Sequence, residues 1–439
     1  MAALLESLSA ELSSLGEEFQ ELFLHVQHAP ISFILILLFT TFVGFAGLVS
    51  AHSTTASSHA NSTADNTPQF YTFLLIVAPT PRLPLPAEKT YRTILPDGSI
   101  SDPKQLPCWL DQWAAHKKVA KRLGASAEDA YKIDEPEVFM SVVVPAYNEE
   151  QRLGGMLEEA VEFLQREYGD AHGAEVEARS PSVTAKSLNG ADGRVGSGWE
   201  ILIVSDGSSD HTEEYALNFA RDHQLSQYPT PVPGPWKAKP GPTHIPHGSI
   251  RVVRLEQNRG KGGAVTHGMR HVRGRYVVFA DADGASEITD LKKLVAGCQE
   301  IEDSQGRGVG IGSRSHLVGS EAVVKRSKLR NFLMHSFHLL LWVMTPPATS
   351  RIKDTQCGFK LFSRAALPYI IPYMHSEGWI FDVEMLMLAE SANVPMAEVA
   401  VGWKEVMGSK LNVVWDSLGM AWGLAVLRAS WIFGVYSRA

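Results

Sequence analysis

Cysteine is scarce in this chain and never clustered. Cys108, Cys298 and Cys357 are the whole complement, an odd number with no CxxC pair. That excludes a disulfide framework and a zinc ribbon, and it suits a catalytic part built for a reducing compartment. Positive charge is also short. A formal net charge of -8, from 40 Lys+Arg against 48 Asp+Glu, leaves no basic excess of the kind a nucleic-acid binder carries. No fixed-period repeat is present, which removes solenoids and propellers. The first 30 residues hold no Lys or Arg, only carboxylates such as Glu6, Glu17 and Glu21, so they lack the basic leading region of a cleaved signal peptide.

What is present is enough apolar material for one large core and an appendage: 439 residues, 45% of them hydrophobic. Ile31–Ala51 is an uninterrupted uncharged run, and at ~1.5 Å per helical residue it spans the roughly 30 Å of a hydrocarbon layer. We read it as a transmembrane anchor. The first basic residues, Arg82, Lys89 and Arg92, follow it, which sets the C-terminal part on the cytosolic side. A Ser/Thr/Ala-rich segment, 49–69, interrupts the anchor before a second apolar stretch, Phe70–Ala78; a linker and a translated retained intron both fit it. Residues 79–138 then read as a stem.

From Phe139 onward, short β-rich runs at Ser141–Val144, Ile201–Val204, Val252–Leu255 and Tyr276–Ala280 alternate with amphipathic stretches. That rhythm predicts βαβ units: an α/β fold with a mostly parallel sheet flanked by helices on both faces. The inserts 169–198 and 228–248, poor in large apolar residues, read as surface loops.

Each run delivers polar residues to the carboxyl edge of the sheet, where open α/β folds bind ligands. Behind the first come Pro145, Tyr147 and Glu149, placed to border and bond a nucleotide base, although Asn148 or Glu149 can equally cap the next helix. Behind the second, Asp206 is placed for a base or ribose, and Asp210 for capping. Behind the third, Asn258-Arg259-Gly260-Lys261-Gly262-Gly263 opens a helix. Its glycines let backbone approach a phosphate, and Lys261 adds a cation; the spacing is not that of a Walker loop. The fourth run ends in Ala280-Asp281-Ala282-Asp283-Gly284. Two carboxylates one residue apart repel unless a cation lies between them, and a divalent metal, Mg2+ or Mn2+, shared with a diphosphate answers that need.

With those motifs in hand, Ser141 to about Met407 resembles the inverting nucleotide-sugar glycosyltransferases of the GT-A fold, within them the polyprenyl-phosphate sugar transferases, and among these the dolichyl-phosphate β-glucosyltransferases. RGKGGAVTHG at 259–268, FADADGAS at 279–286, IGSRSHL at 311–317, VKRSKLRN at 324–331, IKDTQCGFKLF at 352–362 and EGWIFDVEMLML at 377–388 carry the resemblance. It implies a catalytic domain over 139–407, UDP-glucose as donor, dolichyl phosphate as acceptor and the endoplasmic reticulum membrane as location. One departure stands out: the usual aspartate pair after the second strand reads Ser205-Asp206 here. A polyprenyl-phosphate mannosyltransferase using GDP-mannose needs the same metal and phosphate features, and the 352–388 motifs favour glucose. A non-catalytic nucleotide-sugar binder predicts an eroded metal pair, which is intact.

The acceptor side reads as cationic, then apolar. Arg314, Arg326 and Arg330 suit the phosphate, since arginine pairs phosphate oxygens bidentately and stays charged; Phe332 to Trp342 suits a hydrocarbon tail. The resemblance places Asp354, Asp382 and Glu384 beside the acceptor cleft, where they orient sugar hydroxyls or an arginine, or else form buried ion pairs. Residues 408–439 read as an amphipathic helix rich in tryptophan, suited to a headgroup boundary.

Overall fold

The computed structural model describes residues 67–124, 131, 133–169, 197–225, 243–317, 340–404, 406 and 413–438. The anchor at 31–51, residues 170–196 and 228–242 of the two inserts, and Arg326 and Arg330 lie outside the described residues. The chain divides into two compact units, Pro79–Leu411 and a smaller one from both ends.

In the larger unit, β1 (Thr90–Tyr91) and β2 (Lys104–Gln105) form an antiparallel ribbon, followed by helix α1 (Trp109–Leu123). Then come β3 (Val138–Ala146), α2 (Leu153–Tyr168), β4 (Trp199–Asp206), α3 (Thr212–Leu225) and β5 (Ile250–Leu255). Next are α4 (Lys261–Met269), β6 (Gly274–Ala280), α5 (Leu291–Ile301) and β7 (Val309–Ser313). The unit closes with β8 (Phe359–Ser363), α6 (Phe381–Ser391) and β9 (Met396–Ala400).

β3 to β9 make one sheet in the order β5-β4-β3-β6-β8-β7-β9, and β8 alone runs against its neighbours. The four runs read from sequence are the cores of β3, β4, β5 and β6. They look continuous rather than alternating because both faces are covered: every residue of β4 is buried. Val142, Val144, Ile201 and Ile203 pack under Leu153, Leu157 and Val161 of α2. On the other face Gly268 of α4 lies so close to Val143 and Val204 that an added methyl would meet their side chains at 2.5 and 3.0 Å. The predicted arrangement of helices on both faces is therefore present, with the order reversing between β3 and β6.

Residues 79–138 are not a free stem. Arg92 exchanges both backbone hydrogen bonds with Val252, at 2.9 Å each, and thereby covers the open edge of β5. Thr93 Oγ1 donates to Ile250 O at 2.7 Å, Trp109 Nε1 to Met269 O at 2.7 Å, and Ile94, Leu106 and Trp109 are buried. Prolines and charges along this stretch disguise the few apolar residues that fasten it.

The smaller unit holds α7 (Thr67–Val77) and α8 (Val413–Ile432), which pack on each other and bury Leu74, Leu424 and Leu427. Among the described residues no helix is long and apolar enough to cross a membrane.

A charged cluster sits inside the sheet layer around Glu200. Glu200 of β4, fully buried, accepts from Arg251 at 2.5 Å, from Arg273 Nε at 2.8 Å and from Ser141 Oγ at 2.6 Å. Burial pushes its carboxyl upward, but the two guanidiniums outweigh that and hold it below the ordinary value. Removing one member of such a set strands the others. Glu200→Ala is expected to lower stability by roughly 3–5 kcal/mol, read from denaturant unfolding; a change within 1 kcal/mol contradicts this account.

Candidate active site

The carboxyl ends of β3, β4, β5 and β6 converge, and the side chains there alternate in charge. Arg152 at the head of α2 grips Glu149 with Nη2 at 2.5 Å and Nε at 2.7 Å, and its Nη1 lies 3.7 Å from Asp283. Asp281 lies 2.5 Å from Lys261 Nζ. Asp382, in the first turn of α6, is buried against Lys360 of β8, whose ammonium also donates to Cys357 O at 2.6 Å.

The energetics follow from crowding. Burial first, then the negative charge of Asp281, lifts the Asp283 carboxyl above its ordinary value. Burial works against the Lys261 ammonium, but Asp281 and Asp382 more than restore it and leave its pKa raised. Asp382 is pushed up chiefly by burial.

This turn fits a divalent metal. Asp281 and Asp283 keep 30% and 27% of their side chains exposed, and both present hard oxygen donors beside a surplus of negative charge. A methyl on Gly358 would collide with the Asp281 carboxylate, so the glycine leaves room for it. Among the described residues no group of three or more metal-binding side chains occurs. At this turn the described residues offer two carboxylates, Asp281 and Asp283.

Other residues read from sequence take different partners. Tyr147 is exposed at the rim. Asn148 takes a left-handed φ of 52°, which asparagine tolerates, and its Oδ1 accepts from Ser209 N at 2.8 Å. Glu149 commits its carboxylate to Arg152 and its N–H to Thr212 Oγ1 at 2.8 Å. Pro145 pairs with Val204 inside the ladder. Asp210 accepts from Thr212 N at 3.0 Å, the capping role read for it.

At Gly262 the place a Cβ would take lies against Phe381 and Glu377 O, at 2.6 and 2.8 Å. Gly263 N donates to the same Glu377 O at 3.0 Å. These glycines let the loop pack on the segment leading into α6, and the loop is held from the other side by Asp206, whose Oδ1 accepts Arg259 N at 2.7 Å. Asp206 therefore anchors the loop that carries Lys261.

Glu377 and Arg152 were not singled out from sequence. Glu377 binds Arg259 Nη2 at 2.5 Å and both N and Nε of Arg82, at 3.1 and 2.9 Å, making it the second anchor of the same loop. A carboxylate opening the EGW motif was the available signal. On the acceptor side Arg314 spends Nε and Nη2 on Asp354, at 2.7 and 2.9 Å, a fork that orients the guanidinium. Glu384 holds the backbone N–H groups of His375 and Ser376 at 3.0 and 2.7 Å. Cys357 is packed, its thiol pushed up to about 11 by burial, as suits a filler rather than a nucleophile.

Residues 243–337, which take in β5, α4 and the Asp281–Asp283 turn, match the model for Glycosyl transferase family 2. Together with the sheet order and the acidic edge, that match defines a nucleotide-sugar glycosyltransferase of GT-A type. Dolichyl-phosphate beta-glucosyltransferase of Saccharomyces cerevisiae is 40% identical over 309 residues, 69% of this chain and 78% of its own length. The Drosophila melanogaster protein of that name is 38% identical over 307 residues, 70% and 79% of the two chains. The chain belongs to the dolichyl-phosphate β-glucosyltransferase family. A solved glucosyl-3-phosphoglycerate synthase from Mycobacterium tuberculosis aligns over 66% of this chain and 80% of its own, at 17% identity and a TM-score of 0.38, too loose to carry any residue across.

Asp206 supplies a pH prediction. Burial, the largest influence, raises its carboxyl to about 6 from 3.8, so folding favours the protonated form. The stability this confers is complete below about 4 and is lost as pH rises to about 6. Asp206→Asn keeps an acceptor but does not titrate. Melting temperatures at pH 4 and pH 7 are expected to separate the two proteins, the wild type losing roughly 1–3 kcal/mol more across that interval; parallel curves contradict it.

Proposed function

We propose that the chain transfers glucose from UDP-glucose to dolichyl phosphate, releasing UDP and dolichyl β-D-glucosyl phosphate, a lipid-linked sugar donor for protein N-glycosylation. Membership of the family carries this reading, and the acidic pair at the sheet edge supplies the chemistry. A divalent metal held by Asp281 and Asp283 neutralises the charge of the departing diphosphate when bound.

The remaining steps belong to the chain and its substrates. A phosphate monoester has a second pKa near ~6 and is largely dianionic at neutral pH, so it attacks the anomeric carbon without a protein base. In-line attack inverts that centre, giving a β-linked product from an α-linked donor. Lys261, kept charged by Asp281 and Asp382, adds a cation for the leaving group, and the anchors Asp206 and Glu377 hold its loop in place. Arg314, oriented by Asp354, keeps guanidinium N–H capacity for the acceptor, and Arg326 and Arg330 complete the cationic approach. The location we propose is the endoplasmic reticulum membrane, with the anchor at 31–51 single-pass, the catalytic unit facing the cytosol and the C-terminal helix against the lipid interface.

Transfer from radiolabelled UDP-glucose, GDP-mannose and UDP-GlcNAc to dolichyl phosphate in membranes tests the reading. Glucosyl lipid alone, abolished by a chelator, is expected; product from GDP-mannose alone overturns the donor. Asp283→Ala is expected to lower transfer at least about 100-fold. Arg326→Ala is expected to raise the KM for the lipid acceptor while leaving that for UDP-glucose in place. An unchanged acceptor KM removes Arg326 from that role.

A further inference from the structure

Between α4 and the segment Met374–Glu377 lies a cavity of about 10 Å³, walled by Arg259, Thr266, His267, Arg270 and Glu377. A single water requires roughly 10–15 Å³ on this scale. Four buried polar atoms on these side chains have no hydrogen-bond partner among the described residues: Arg259 Nη1, Thr266 Oγ1, His267 Nδ1 and Arg270 Nε. Arg259, Thr266 and His267 are 6%, 6% and 1% exposed, and the carboxylate beside Arg259 Nη1, that of Glu88, stands 3.8 Å away, beyond hydrogen-bond reach. Orphaned donors and acceptors so deep inside a protein carry an uncompensated desolvation penalty. The four side chains that carry them line one small cavity, which gives these atoms room for a shared partner.

The chemistry of the four atoms fixes what that partner is. Both guanidinium nitrogens can only donate. His267 Nε2 lies 2.9 Å from Glu88 O, a carbonyl that can only accept, so Nε2 carries the proton. Burial, followed by the charges of His271, Arg270 and Arg259, pushes the His267 pKa well below its ordinary value and keeps the ring neutral. Nδ1 is therefore an acceptor. The Thr266 hydroxyl can play either part. Two donors, one acceptor and one group of either kind match a molecule that accepts twice and donates twice. A halide or carboxylate has no proton for His267 Nδ1, and an ammonium has no lone pair for the arginines.

We infer that this cavity holds one ordered water, accepting from Arg259 and Arg270 and donating to His267 and Thr266, as a permanent part of the loop and helix that carry Lys261. The water gives Arg259 a third anchoring point beyond Glu377 and Arg82 O, and it locks the His267 tautomer that bonds Glu88.

A high-resolution crystal structure of the full chain is expected to show one water-sized peak bonded to at least three of the four atoms. It should carry no anomalous signal after bromide soaking. A dry cavity, or a bromide peak in it, overturns the inference. In solution, ¹⁵N-histidine spectra are expected to show His267 neutral, protonated on Nε2 and accepting at Nδ1; protonation on Nδ1 overturns it equally. Thr266→Val keeps the shape and deletes the hydroxyl, and is expected to melt about 2–6 °C lower. An unchanged melting temperature removes Thr266 from the water's shell.

Discussion

The repulsion between Asp281 and Asp283 is the constraint around which this protein is arranged. A strand that ends in two carboxylates one residue apart is stable only if cations are brought to it, and here they come from separate elements: Arg152 from α2 and Lys261 from α4. Each cation then needs its own support. Glu149 grips the first, and the loop bearing the second is pinned by Asp206 below and Glu377 above. Lys360 and Asp382 continue the alternation into the interior. Catalytic charge and structural charge form one connected set, so a substitution in either is felt in both.

Much of this was legible in the residues. The four β-rich runs announce the parallel half of the sheet because their strands are buried on both faces and stay apolar throughout. The other half was silent. β7 is mostly glycine and short side chains, and β8 carries Lys360 as the second residue of a five-residue strand, a signal that suggests a surface until Asp382 is seen beside it. Asp281, Asp283 and Lys261 could be picked out because their spacing states a chemical need. Arg152 could not, since a single arginine at a helix start has no pattern, and its significance depends on Asp283, distant in sequence.

The glycines of the 260–263 loop have a packing role beside the one their motif suggests. A Gly-rich turn opening a helix invites a phosphate reading, and the loop does reach the candidate site. Yet the room those residues leave is taken by Glu377 O and Phe381. Smallness serves the approach of one backbone to another, and the charge reaches the site through Lys261. Asp206 sits at the edge where a base contact is expected, and its Oδ1 binds the loop's backbone.

The reversed direction of β8 has a consequence for how such a protein can change over time. Parallel strands offer only their exits to the ligand-binding edge, whereas β8 presents its entrance there, with Gly358 against Asp281. Ser313, where β7 ends, and Phe359, where β8 begins, therefore lie at the same edge of the sheet. A connection tethered at both ends to one edge can lengthen, shorten or diverge while strand register is untouched.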